Sequence, residues 1–401
     1  MPSSKEFMDI ESKYGAHNYH PIAVVIQQSR GVWVYDPEGN KYLDCLSSYS
    51  AVNQGHLHPR IVEAVKKQLS QVALTSRAFY NDRLGPFLKH LLDVCGESFD
   101  MALPMNTGAE AVETAIKMAR RWGYEVKGVE KDKAEIIVCE NNFHGRTTTI
   151  VGFSTDPAAY ANYGPFTPGF KIIPYDDPQA LEEAISPNTV AFLVEPIQGE
   201  AGVLIPSDGY LKKIREICTK HNILLILDEI QTGFGRTGKM FCHQHEGIVP
   251  DAMLLGKALG GGLVPVSAVV SREDIMKVFT PGSHGSTFGG FPLACAAGDA
   301  ALDVLVDERL AERSRELGAY FMERLQEIDS PWIKEIRGKG LFIAIELSVK
   351  ARPLTEKLKA KGILAKETHD YIIRFAPPLI IERDEIDWAV PIIKEVLEGS
   401  D

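Results

Sequence analysis

NILLILDEI, residues 222–230, is the stretch from which the fold is read. Five aliphatic residues, ILLIL, run without a polar break and stop at Asp228. A strand apolar on both faces is covered on both faces, as in the middle of a mostly parallel sheet. EIIVCE (135–140), VAFLVEP (190–196) and VPVSAVVS (264–271) repeat the pattern. Amphipathic helical stretches lie among them, at GAEAVETAIKMARRWGYE (108–125) and GYLKKIREICTKH (209–221). This alternation predicts an α/β fold. RGVWVYDPEGNKYLD (30–44) reads as a β-hairpin around a Pro/Gly/Asn turn. After residue 300 the pattern changes to α+β. Helical stretches at 300–328 and 383–398 surround short strands at GLFIAIEL (340–347) and YIIRFAPP (371–378).

The chain of 401 residues is long enough for more than one domain. With 43 basic and 54 acidic residues its net charge is −11. An acidic surface argues against general binding to nucleic acid or anionic membranes. No apolar run approaches the roughly 18 residues of a membrane span, so none is expected. MPSSKEFMDIESKYGAHNYHP at the start has no apolar leader core and few arginines, so a cytoplasmic location is expected. Cys45, Cys95, Cys139, Cys218, Cys242 and Cys295 are scattered and read as reduced thiols. Cys242, His243 and His245 fit no standard zinc spacing, so no metal site is expected.

Three features carry chemistry. Asp228 ends a buried strand at the edge where ligands bind in open α/β sheets. A carboxylate there is costly unless it is paired, although an Asp can also cap the next segment. Lys257, in LLGKALGGG, follows an apolar stretch. A desolvated lysine is suited to forming a Schiff base; a lysine at a helix start reaching solvent is the plainer reading. In MNTGAEAVE, Thr107 and Glu110 make a capping box. That helix start offers free amides to a phosphate, or serves as a cap and nothing more. Together an amine, a carboxylate for a ring nitrogen and an anion cradle fit an aldehyde cofactor with a pyridine ring and a phosphate. Phe143, just after a strand, supplies either a stacking ring or core packing.

At these residues the chain resembles the class III, ω-amino-acid aminotransferases of pyridoxal-phosphate fold type I. The resemblance rests on TGAEAVETAIKMAR, FHGRT, EPIQGEAGV (195–203), LDEIQTGFGRTG (227–238), LLGKALGGG (254–262) and HGSTFGGFPLACAA (284–297), in order over nearly the whole chain. It implies a large domain with a mostly parallel seven-stranded sheet, at 56–300. It also implies a small α+β domain from both chain ends, 1–55 and 301–401. The cofactor implied is pyridoxal 5′-phosphate. Lys257 would bind it covalently and shuttle protons, Asp228 would pair with its ring nitrogen, and Phe143 would stack on it. Thr107, Gly108 and Ala109 would hold its phosphate, and Gln231 would lie near the ring hydroxyl. Ser286 and Thr287 would reach the phosphate in a neighbouring subunit, which implies a homodimer. The family usually reads GGNP where this chain has GGFP, with Phe291 in the Asn position, so local repacking is expected there.

KYGAHNYHPIAVV (13–25), SYSAVNQGHLHP (48–59) and IIRFAPPLII (372–381) resemble the members of the family that act on ornithine. By that resemblance L-ornithine and 2-oxoglutarate are the substrates. Tyr19 would contact ornithine's α-amine, Arg146 would hold its α-carboxylate, and Tyr49 would line the pocket. Glu200 and Arg374 would pair while ornithine is bound and separate when a dicarboxylate enters; a static structural ion pair is the alternative. Members that act on acetylornithine or 4-aminobutyrate are the nearest rivals. A non-catalytic cofactor-binding protein is a more distant one. A nicotinamide enzyme lacks its GxGxxG after an early strand.

Overall fold

A computed structural model describes residues 2–399. Met1, Ser400 and Asp401, at the outer ends of the two expected terminal segments, lie outside the described residues. The centre is a seven-stranded sheet. Its order is Met101–Met105, Ser267–Ser271, Ala252–Leu255, Leu224–Asp228, Thr189–Val194, Glu135–Cys139 and Phe170–Ile173. The four pairings from Ala252–Leu255 to Phe170–Ile173 are parallel. Ser267–Ser271 runs antiparallel to both its neighbours. The sheet is therefore mixed and mostly parallel, as the apolar runs predict.

Both faces of the sheet are covered, and the two-residue period of the strands divides the core. Ile136, Val138, Leu224 and Ile226 pack against the helix Gly108–Trp122 through Ala111, Ala115, Ile116 and Ala119. Ile137, Leu225 and Leu227 face the other way, onto Tyr210, Leu211 and Ile214 of the helix Tyr210–Lys220. This is why ILLIL carries no polar residue: each alternate position meets a different helix layer. No helix among the described residues is long and apolar enough to cross a membrane.

Two smaller sheets come from the chain ends. Gln28–Arg30, Trp33–Tyr35 and Lys41–Asp44 form the expected hairpin region, and Ile363–Leu364 joins it in parallel beside Leu43 and Asp44. Ile333–Lys339, Phe342–Leu347, Ile372–Phe375 and Lys366–Thr368 form an antiparallel sheet. Trp33 stacks edge-on against Trp388, and its ring N–H donates to Glu385 at 2.8 Å, so the hairpin docks on the C-terminal helix.

Two expected elements differ. The helical stretch 300–328 is two helices, Pro292–Asp307 and Leu310–Gln326. Arg309 takes a left-handed conformation (φ 52°) that turns the chain while Leu310 is buried. DERLAERS holds no Gly or Pro to announce the break. The first of these helices runs across residues 300 and 301. The stretch 108–125 is α-helical to Trp122 and then widens into a π-turn, Gly123–Lys127. Phe291 stands at the N-cap of the helix Pro292–Asp307 and makes no side-chain cap. An Asn there would cap the helix; Phe291 instead packs edge-on against Phe288 at 5.3 Å.

Gly318 lies inside the helix Leu310–Gln326, where Ala would ordinarily gain about 1 kcal/mol. Here a Cβ would sit 2.2 Å from the backbone of Gly340. Overpacking of that kind costs about 1–3 kcal/mol and reverses the sign. Gly318→Ala is expected to lower the urea midpoint of unfolding; an unchanged or raised midpoint contradicts this packing.

Candidate active site

The carboxyl ends of the parallel strands converge on one cleft, the usual place for a ligand in an open α/β sheet. Asp228 closes the strand Leu224–Asp228. Lys257 follows Ala252–Leu255 after Gly256. Phe143 and His144 follow Glu135–Cys139, and Glu195 follows Thr189–Val194. The helix Gly108–Trp122 starts after Met101–Met105. Gly108, Ala109, Phe143, Asp228, Gln231 and Lys257 line one cavity of about 190 Å³ together with His144 and Glu195.

Lys257 has φ 46° and opens a short 3-10 turn. Left-handed backbone at a residue with a side chain is strained and is typical of functional sites. Burial holds its amine below the ordinary lysine pKa, against the opposing charges of Glu200 and Asp228. Asp228 accepts from the backbone N–H of Ile230 at 3.1 Å and pairs with His144 Nδ1 at 2.7 Å. Burial works against charge on His144, but the hydrogen bond and charge of Asp228 outweigh it and hold the imidazole above its usual pKa. Nothing in NNFHGRT marks His144 for this role, because its partner lies 84 residues away in the chain. Its Nε2 is buried without a partner.

The phosphate cradle has the expected cap. Thr107 accepts from Glu110 N–H at 3.2 Å, and Glu110 accepts from Thr107 N–H at 2.8 Å. Both side chains of the box are spent on the helix end, and Gly108 and Ala109, whose first-turn amides have no intrahelical partner, line the cavity. Close packing explains the glycines: a Cβ on Gly145 would meet Ala109 at 2.9 Å, and one on Gly108 would meet Ile230 at 3.1 Å. Ser267 Oγ donates to Thr107 O at 2.7 Å and ties the antiparallel strand to the same turn. Phe143 is not core: its ring is half-exposed on the cavity. An amine, a carboxylate, free helix-start amides and an aromatic face thus meet in one space, and the set fits pyridoxal phosphate.

Next to this cavity Arg374 makes a forked pair with Glu200, at 2.8 and 3.3 Å. Arg374 is only 3% exposed. Burial works against the Glu200 charge, but Arg374 holds its carboxyl below the usual range. The Tyr49 ring covers the Arg374 guanidinium at 5.2 Å. Gln231 Nε2 lies 3.3 Å from Tyr49 O and 3.4 Å from Glu200. Tyr49 sits in a turn where Ser47, Ser48, Tyr49 and Ser50 all have φ between 48° and 70°. Left-handed backbone costs about 1–2 kcal/mol per residue. Asp44 Oδ1 offsets this by accepting from the N–H groups of Leu46 and Ser47, both at 2.9 Å. Tyr19 lines a second, mainly apolar cavity beside Tyr49. Arg146 lies with its guanidinium 5.6 Å from the Phe143 ring.

Ser286 and Thr287 are not in the cavity of their own chain. They line a separate surface hollow with Arg77, and Ser286 Oγ accepts from Asn106 at 2.9 Å. Cys242 and His243 serve Glu229, whose carboxylate accepts both their backbone N–H groups at 3.0 and 2.9 Å. His245 meets Thr237 O at 3.0 Å. All six cysteines are buried and unpaired.

Glu195 was missed as a site residue, because an acid within VEP has no distinguishing pattern. It is buried and accepts from Phe143 N–H at 2.9 Å. Burial pushes its carboxyl up to about 7, with Asp228 adding to the rise and His144 opposing it. The folded protein therefore binds this proton more tightly than the unfolded chain. The stability that Glu195 contributes falls as pH rises from about 4.5 to about 7 and is level above. The unfolding free energy of the wild type minus that of Glu195→Gln is expected to decline across that window. A difference independent of pH contradicts the assignment.

Comparison with known proteins places this geometry in a family. The model of the aminotransferase class-III family matches residues 14–397. An ornithine aminotransferase of Brevibacillus brevis is 61% identical over 401 residues, covering 100% of both chains. An ornithine aminotransferase structure from Toxoplasma gondii, described with partial occupancy of PLP at its active site, has a TM-score of 0.96 at 48% identity. It is matched over 98% of this chain and 94% of its own. An acetylornithine aminotransferase structure from Elizabethkingia anophelis has a TM-score of 0.91 at 50% identity, over 100% of both chains. A match of this length and identity shows that the chain belongs to the class-III aminotransferase family.

Proposed function

We propose that this chain transfers the δ-amino group of L-ornithine to 2-oxoglutarate. The products are glutamate and glutamate 5-semialdehyde, which cyclises to pyrroline-5-carboxylate. The observation that carries the reading is the forked Glu200–Arg374 pair beside Lys257, under the Tyr49 ring. The full-length relatives named ornithine aminotransferase support it.

Pyridoxal phosphate, when bound, supplies a carbonyl that carries the amino group and a ring that accepts electrons from the carbon losing its proton. Lys257 anchors it. The same amine, whose protonation burial disfavours, would take the proton from ornithine's δ-carbon. Asp228, backed by His144, keeps the ring nitrogen protonated. Gly108 and Ala109 would hold the phosphate by their amides, and Phe143 and Gln231, which line the same cavity, would meet the ring. Ser286 and Thr287 complete the phosphate site of a second subunit, so the working unit is a homodimer.

The acid-base logic decides which amine reacts. Arg146 holds ornithine's α-carboxylate and Tyr19 receives its α-ammonium, leaving the δ-amine at Lys257. Glu200 keeps Arg374 from that carboxylate, because a free guanidinium fork binds carboxylates strongly. When glutamate or 2-oxoglutarate enters, Arg374 leaves Glu200 for the α-carboxylate and Arg146 takes the distal one. The domain division 1–55, 56–300 and 301–401 and a cytoplasmic location belong to the same reading. A second reading, transfer from N-acetylornithine, is favoured by the likeness to the Elizabethkingia anophelis structure.

The test supplies ornithine, N-acetylornithine and 4-aminobutyrate in turn with 2-oxoglutarate and measures the glutamate formed from each, with pyrroline-5-carboxylate trapped in the ornithine reaction. Ornithine is expected to be the best donor; higher kcat/KM with either rival overturns the assignment. Lys257→Ala is expected to abolish turnover with the fold intact. Glu200→Gln is expected to lower kcat/KM for ornithine by about 100-fold, the weight of a strong charged contact, and to spare the glutamate half-reaction. Equal losses in both half-reactions contradict the switch.

A further inference from the structure

Tyr19 is 74% exposed, so packing does not fix its ring. Its position must come from its backbone. From residue 15 to 27 that backbone forms a strap with no regular secondary structure. The carbonyls of His20 and Pro21, directly after Tyr19, both point at Arg352. Arg352 Nη1 donates to His20 O at 3.3 Å and Nη2 to Pro21 O at 2.9 Å.

The guanidinium is itself held. Arg352 stands in the helix Ala351–Ala360. Its Nη1 pairs with Glu367 at 3.0 Å and its Nη2 with Glu356 at 2.8 Å. Thr355 Oγ and Lys366 Nζ also donate to Glu367, at 3.3 and 2.6 Å. A planar fork with five donors can serve two carboxylates and two carbonyls at once, which a lysine cannot. Glu367 is the middle residue of the strand Lys366–Thr368. At one end of that strand Lys366 lies opposite Arg374. At the other end Thr368 Oγ donates to Glu200 O at 2.6 Å. A three-residue strand therefore carries both the clamp on the strap and the backbone support of the Glu200–Arg374 pair.

We propose that Arg352 is a positioning residue that holds Tyr19 at the mouth of the site and so sets affinity for donors with a second, cationic amine. It touches neither substrate nor cofactor. The inference rests on the reading of Tyr19 given under Proposed function. Glutamate has no such second amine at that end, so its binding does not depend on the strap.

The test uses the pyridoxal-phosphate-loaded enzyme and the variants Arg352→Met, Arg352→Lys, Tyr19→Phe and the Met/Phe double variant. Amide hydrogen exchange over residues 15–26 is expected to rise in Arg352→Met and to be partly restored in Arg352→Lys. In single half-reactions the ornithine concentration at half-saturation should rise about tenfold in Arg352→Met, the loss of a charged hydrogen bond. The limiting rate should change less than twofold, and the glutamate half-reaction should match the wild type. The double variant should be no worse than the weaker single variant, because both remove one interaction. Unchanged exchange overturns the tether. Equal losses in both half-reactions, or losses that multiply in the double variant, overturn the link to Tyr19. A wild type inert to ornithine overturns the functional reading instead, and the exchange measurement still decides the tether.

Discussion

A guanidinium hidden from water beside a desolvated lysine is the constraint around which this cleft is built. Arg374 is nearly inaccessible, and removing the partner of a buried ion costs about 3–5 kcal/mol. Glu200 answers that demand, and its surroundings are arranged to keep it in place. Gln231 reaches its carboxylate, Thr368 holds its backbone, and the Tyr49 ring lies over the arginine. The strained Ser47–Ser50 turn has a reason in this arrangement. It brings Tyr49 over Arg374, and Asp44 and the Ser47 hydroxyl, which donates to Ala376 O at 2.7 Å, keep it there.

The site also sorts its protons. Asp228 and Glu195 are two carboxyl groups within one cavity, but their partners differ. Asp228 has His144 and a backbone amide, whereas Glu195 has one amide and is pushed up to about 7. That environment lets Glu195 take up a proton near neutral pH. Lys257, held below its usual range by burial, is the third member of this set.

Much of this was legible in the chain. The strands ending at Cys139, Val194 and Asp228 announce themselves because both faces are buried, and a run of aliphatic residues has no other economical reading. Asp228 and Lys257 stand out because each is a charge next to such a run. The antiparallel direction of Ser267–Ser271 was not legible, since side-chain pattern carries no direction. The strands Met101–Met105 and Phe170–Ile173 were missed at the partly buried sheet edges, and the fully buried Ala252–Leu255 was read only as an apolar stretch before Lys257. The turn at SSYS and the break at Arg309 use left-handed backbone at residues with side chains, where composition gives no warning. His144 and Arg352 act through partners distant in sequence, and only the folded chain brings those partners together.

The parallel pairing of Leu43 with Ile363 has a consequence for how the chain is made. The hairpin leaves the ribosome first, but the strand that completes its sheet is synthesised about 320 residues later. At ordinary elongation rates that is a delay of roughly 15 to 60 s. During that time the edge of Lys41–Asp44 is an unpaired row of backbone donors and acceptors. The central sheet, whose strands all lie between Met101 and Ser271, can assemble before the chain ends meet. The hairpin's sheet is therefore finished by a strand translated well after the central sheet, and until then its open edge stays available for other pairings.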